Sequence, residues 1–405
     1  MPLAAMPTEA ARTAPEPGAR PRIRFDRNEF SGAFGDIGTD FPLITGMILA
    51  AGLNPASVLT MFGAMQVLTG LLYGMPMPAQ PLKAMAVLVI SQKASGPVLY
   101  GAGLAIGLIM LVLASTGLLT VLANAVPKSV VRGIQFGLGL QLATLALRDY
   151  VPAEGTSGFL LAGAAFLLTL LLLGNRRFPP APFVLALGFA FALLFRVHPK
   201  LLIEGIQFVP PAVYVPTRND IWVGLYLLAI PQLALSFGNS ILASRQVAAD
   251  LFPDRPLSIR KIGLTYSLMN LINPFFGGVP TCHGSGGIAG HYTFGARTGG
   301  SVIIYGFFYL ILGLFFSLAF QQVIPLFPRP VLGVMLLFEA LALMLLCRDM
   351  AASVADLAVV LVVGVSALAL PYGYVVGLLL GLLLHYLLLS RLRRLSRTDC
   401  AAGIQ

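Results

Sequence analysis

The stretch Gly277–Gly290, "GGVPTCHGSGGIAG", decides how this chain is read. It packs six glycines and a proline into fourteen residues of a chain that is 57% hydrophobic. No good helix can run through it. A second interrupted stretch, Gly74–Val87 "GMPMPAQPLKAMAV", carries prolines at 76, 78 and 81. Both lie among apolar runs of membrane-crossing length. Charged residues make up 10% of the 405, against about 25% in soluble proteins, and mean hydropathy is +0.87. The composition specifies an all-α polytopic membrane protein.

Fourteen membrane segments are expected, at about 29–52, 54–74, 78–92, 98–123, 128–147, 157–174, 181–196, 220–243, 258–274, 281–292, 298–320, 326–346, 353–370 and 372–390. The third and tenth are too short or broken to cross as helices. Residues 1–28 are Pro/Ala/Arg-rich and read as a disordered tail with no cleavable signal. A first repeat of seven segments covers 29–196, and a connecting loop covers 197–219. A second repeat covers 220–390, and residues 391–405 form a short basic tail. An odd number of segments per half inverts the second half in the membrane, as in many secondary transporters. With both termini cytoplasmic, 19 of the 26 Lys and Arg fall inside, six fall outside and Lys83 falls within a segment. The positive-inside rule supports that orientation.

The net charge of +10 invites a nucleic-acid reading, but the basic residues sit at helix ends rather than on one soluble face. Cys282, Cys347 and Cys400 make no disulfide framework, and the four histidines lack metal-ligand spacing. No metal or cofactor is expected. "HGSGG" is not a full nucleophile-elbow motif and no sheet surrounds it, so an enzyme is not expected.

Non-helical backbone cannot face lipid, so both breaks must lie inside the protein. Each leads into a short helix whose N-terminus presents free N–H groups and about half a positive charge. Two such ends aimed at the midplane suit an anion. Gln80 and Lys83 flank the first break; Thr281, Cys282, His283, Gly284 and Ser285 lie at the second. An intramembrane lysine marks function, or it snorkels or pairs with an acid. Segment one adds Asp36, Thr39 and Asp40. Asp36 is read as pairing Lys83, carrying a coupling proton, or capping backbone. Segment eight supplies Gln232, Ser236, Asn239 and Ser240 near one face, for ligand or for helix contacts. Glu339 in segment twelve is a buried acid, for proton handling or an interhelix pair. Asp36, Asp40 and Glu339 are the proton-coupling candidates.

At "FSGAFGDIGTDFPL", "PMPAQPLKAMAV" and "PTCHGSGGIAGHYTFGARTGG" the chain resembles the molybdate transporter family of bacteria, algae and plants, distant relatives of the sulfate permeases. The resemblance implies a fold of seven plus seven inverted segments shared with sulfate and nucleobase permeases. A core of segments 1–4 and 8–11 would move against a gate of segments 5–7 and 12–14. Molybdate would lie between segments 1, 3, 8 and 10. Asp36, Thr39, Gln80, Lys83, Cys282, His283, Gly284 and Ser285 are the residues carried over. No C-terminal regulatory domain of the kind usual in sulfate permeases is expected. Asp40 stands where related versions carry an apolar residue. A homodimer and the bacterial inner membrane are expected on the same ground. The alternatives are a sulfate transporter of the same fold or an anion channel. A nucleobase permease is disfavoured, because segments eight and ten lack a carboxylate at the site.

Overall fold

A computed structural model describes residues 23–175, 180–196 and 205–402, with side chains to Leu387 except that of Asn124. Residues 1–22 of the expected tail, Arg176, Arg177, His198 and Lys200 lie outside the described residues, as do the side chains of the basic C-terminal run. The chain is mostly helical. In order come α1 (Arg27–Ala33), α2 (Ile37–Ala51), α3 (Pro55–Tyr73), β1 (Ala79–Pro81), α4 (Lys83–Gln92), α5 (Gly96–Thr116), α6 (Leu118–Ala125), α7 (Lys128–Leu145), α8 (Gly155–Leu172) and α9 (Pro180–Phe195). Next are α10 (Arg218–Leu251), α11 (Ile259–Ile272), β2 (Thr281–His283), α12 (Ser285–Thr293), α13 (Gly300–Phe315), α14 (Ser317–Val323), α15 (Arg329–Leu345), α16 (Val354–Ala369) and α17 (Gly373–Ala402).

Several expected boundaries are corrected. Residues 23–28 belong to the fold: Asp26 caps α1 through Asn28 and Glu29, and the Arg24 N–H donates to Thr298. Segment one is two helices, broken at Phe34–Asp36. Segment four ends at Gly117, whose φ of +82° leaves the helical region. Segment eleven bends by 83° between α13 and α14. The last helix continues through the expected tail to Ala402. The turn region from Lys128 to Leu172 has near-continuous helical hydrogen bonding, yet Gly155 has φ +62° and ψ −145°. No helix passes through that conformation, so α7 and α8 are separate, as the sequence expects.

Two groups of helices pack among themselves. α3 lies along α13, α5 lies along α10 and α11, and α1 lies against α13. In the other group α7 packs on α15 and α16, α8 packs on α9 and α15, and α16 packs on α17. The groups meet where α2 faces α9 and α15, and where α4 faces α7. The described part of the connecting loop is tied to the first group. Gln207 and Val209 donate to Phe315 and Leu314, and Tyr214 donates to Phe275.

The two breaks meet each other. β1 and β2 pair antiparallel, with Gln80 opposite Cys282. Each strand's outer edge is closed by a buried amide side chain. Gln66 of α3 accepts from the Ala79 N–H at 2.9 Å and donates to its carbonyl at 2.6 Å. Asn270 of α11 does the same for Thr281, at 3.0 and 2.6 Å. Irregular backbone inside a membrane must have its polar groups satisfied by protein. Here two three-residue strands satisfy each other, and two amides finish the edges. The units β1–α4 and β2–α12 match in order and in the amide clamp on each strand.

Candidate functional site

The site is built where α2, β1–α4, α10 and β2–α12 converge. The segment-one break is seated on α12 by backbone contact. A Cβ on Gly35 would lie 2.6 Å from the Gly290 carbonyl oxygen, and one on Gly290 would lie 2.6 Å from that of Gly35. Only glycine at both positions permits this approach. It brings Asp36 to the crossing strands.

Asp36 occupies the N-cap position of α2 but makes no capping bond. Its carboxylate instead accepts from the Gln80 amide nitrogen. Lys83, first residue of α4, pairs with Glu339 of α15 at 2.6 Å. The two side chains are 15% and 8% exposed. The other Glu339 oxygen accepts from the Thr39 hydroxyl at 2.9 Å. Thus the Asp36–Lys83 pair considered from sequence is not the one formed, and Glu339 ties two residues of one helical group to the other.

The two half-helices are unequal at their N-termini. The first-turn N–H groups of Ala84 and Met85 both donate to Gln232 Oε1 of α10, at 2.9 and 3.3 Å. Gln232 is held in turn by Ser236, which bonds Tyr266. α12 has no side-chain cap. Its Ser285 hydroxyl donates to Asn239 at 3.3 Å. Gly286 is exposed and borders open space. Asn239 projects from a π-helical turn of α10, Ser236–Ala243, a distortion frequent at functional sites. The positive end open to a ligand is therefore that of α12 alone.

The structure gives the other expected residues supporting places at or behind this opening. His283 is fully buried and bonds Thr265 at 2.7 Å with its ring edge-on to Tyr73. It holds β2 against α3 and α11. Cys282, on the opposite side of the strand, is buried and lies toward Ser240 and Lys83. Gly284 is the N-cap of α12, where a Cβ would collide with the Gln80 amide. Asp40 is buried behind the site, with Tyr305 donating to it at 3.3 Å. Among the described residues no group of His, Cys, Asp or Glu is placed to hold a metal ion.

Sequence reasoning missed three supports. Gln66 and Asn270 clamp the strands. Glu29, fully buried, accepts from the N–H groups of Arg297, Thr298 and Ser301 at 2.8–3.0 Å and so caps α13. Glu29 lies in the charged stretch Arg24–Glu29, where nothing local marks it as a buried cap.

The family model described as "Molybdate transporter of MFS superfamily" matches residues 28–142 and 224–343. Those spans contain every element of the crossing. "Molybdate transporter 2" of Arabidopsis thaliana is 34% identical over 371 residues, 80% of this chain and 79% of that protein. "Molybdate transporter 1" of the same plant is 33% identical, covering 80% of each. "Molybdate transporter 1" of Chlamydomonas reinhardtii is 26% identical, covering 78% of this chain and 83% of its own. Among solved structures, the transmembrane domain of a cyanobacterium bicarbonate transporter, BicA, superposes with TM-score 0.64 at 16% identity, over 90% of this chain and 98% of that one. The murine Slc26a9 anion transporter in its inward-facing state gives 0.68 at 14%, over 91% and 69%. These set the fold as that of membrane anion transporters. The sequence match across both halves, strands and half-helices included, makes this integral membrane chain a member of the molybdate transporter family.

Proposed function

We propose that this chain carries molybdate across the membrane as a secondary active transporter. The observation that carries the reading is the uncapped N-terminus of α12, with Ser285, Asn239 and exposed Gly286 around it, beside the Lys83–Glu339 pair. A tetrahedral dianion has four acceptor oxygens and no donors. The first N–H groups of α12 are matched to it, and the Ser285 hydroxyl would turn from Asn239 to join them.

The fold is read as seven plus seven inverted segments. Antiparallel pairing of two matching strand–helix units supports this, since an axis in the membrane plane relates antiparallel elements. The group holding both breaks is the core and the other is the gate. Movement of core against gate would carry the site between the two faces, with both termini cytoplasmic. Glu339 is the proton-coupling candidate of choice. It is a gate carboxylate bound to core Lys83 and Thr39, so an arriving dianion competes with it for Lys83. Protonating Glu339 releases Lys83 to the anion and links proton to substrate.

The test is equilibrium binding to the purified protein, titrated with molybdate, tungstate and sulfate. Molybdate and tungstate should bind well ahead of sulfate, and Ser285→Leu should abolish binding while the protein stays monodisperse. Equal or tighter sulfate binding moves the substrate to sulfate; undiminished binding by the variant removes α12 from the site.

A further inference from the structure

We propose a second oxyanion site, at the Arg-rich mouth between the two helical groups. A cavity of about 440 Å³ opens there between α7 and α10. Lys128 and Arg132 of α7 line one wall, and Arg245 and Gln246 of α10 line the other. Gly238 and Leu242 of α10 also line it, and Gly238 precedes Asn239, the Ser285 partner.

The charges there do not balance. Asp349 takes both Lys128 and Arg132, at 2.8 and 2.7 Å. Among the described residues no carboxylate pairs with Arg245, and Gln246 is engaged by Asp250 at 2.8 Å. Three cations against Asp349 and the Asp250 carboxylate bonded to Gln246 leave one net positive charge around a space that holds a hydrated tetrahedral oxyanion with room to spare. The cations come from both helical groups, so an anion seated among them also relieves the repulsion that grows as the groups close. The ligand is a tetrahedral oxyanion with net negative charge, free in solution or presented as a lipid phosphate. The site depends on this charge arrangement and not on which oxyanion is transported.

The experiment places a cysteine at Leu242 in full-length protein carrying Cys347→Ser and Cys400→Ser, in phosphatidylcholine nanodiscs. Modification rates are compared for anionic and cationic methanethiosulfonates. The anionic reagent should react faster. Arg245→Gln with Lys128→Gln should slow it about threefold per charge removed, the value for a charge roughly 7 Å away in water. Millimolar molybdate or inorganic phosphate should protect the thiol at constant ionic strength where chloride does not. Protection that appears only when phosphatidylglycerol is added identifies the phosphate of a net anionic lipid headgroup as the source. The protection should survive in a Ser285→Leu background, which separates this site from the deeper one. A cysteine at Gln246 serves as second reporter should the Leu242 variant misfold. Absence of charge preference, or protection that persists after both charge removals, overturns the proposal.

Discussion

Replacing Lys83 by Met, Glu339 by Leu, and both together tests the tie between the helical groups. At 2.6 Å the ion pair has a gross attraction of about 6 kcal/mol at an effective dielectric of about 20. Most of that is offset by desolvation of two charges, each at least 85% buried by side chain. Removing one partner leaves the other buried and unpaired, at a cost of about 3–5 kcal/mol. Replacing both by apolar side chains removes the unpaired charge. The double variant should lie within about 1–2 kcal/mol of the parent, on either side. Reversible unfolding in mixed micelles titrated with sodium dodecyl sulfate gives the three differences. The expected result is a coupling of at least about 3 kcal/mol in the double-mutant cycle. Single variants that each cost under about 1 kcal/mol, or a double variant equal to the sum of two large losses, would refute the pair as an energetic link.

Two further outcomes follow from the site's construction. Gln232→Leu strips the acceptor from the Ala84 and Met85 N–H groups and should cost about 1–3 kcal/mol in the same unfolding assay, while Gln232→Glu, which keeps an acceptor there, should cost less. Gly35→Ala forces a Cβ onto the Gly290 backbone. It should lower molybdate affinity at least about tenfold through displacement of Asp36 and α12, measured by the equilibrium titration, and an unchanged affinity would show the contact to be dispensable.

Much of this organisation was legible in the sequence. Apolar run length located the helices, because a lipid-facing helix must be apolar for its whole crossing. The Gly/Pro interruptions at 74–87 and 277–290 located the half-helices, but the two short strands that pair across them were not expected of an all-α chain. What was not legible depends on distant partners. Lys83 has several acids within range of its segment, and only packing of α15 against α2 selects Glu339. Gln232 lies 148 residues from Ala84, so no local pattern shows that it covers the end of α4. The sequence therefore suggested two equivalent positive ends where the structure leaves one open. The break at Phe34–Asp36 falls in the Gly- and Asp-containing stretch Ser31–Asp40, which leads straight into an apolar run and reads as the start of one segment. Glycines tolerated in a helix look the same in sequence as glycines that end one. The bend at Phe316 has no proline or glycine to announce it.

The pairing of β1 with β2 has a mechanical consequence. Because the strands share one ladder and each is pinned by an amide, the ends of α4 and α12 cannot separate without breaking hydrogen bonds in a water-poor interior. The gap between them behaves as a fixed gauge rather than an adjustable jaw. An anion seated on the open end of α12 would face the Gln232-covered end of α4 at that fixed spacing: one too small would fill the shortfall with water instead of drawing the walls inward, and one too large would be refused outright. Selection by size would then be a property of the resting protein, already complete before any larger movement of the helices begins.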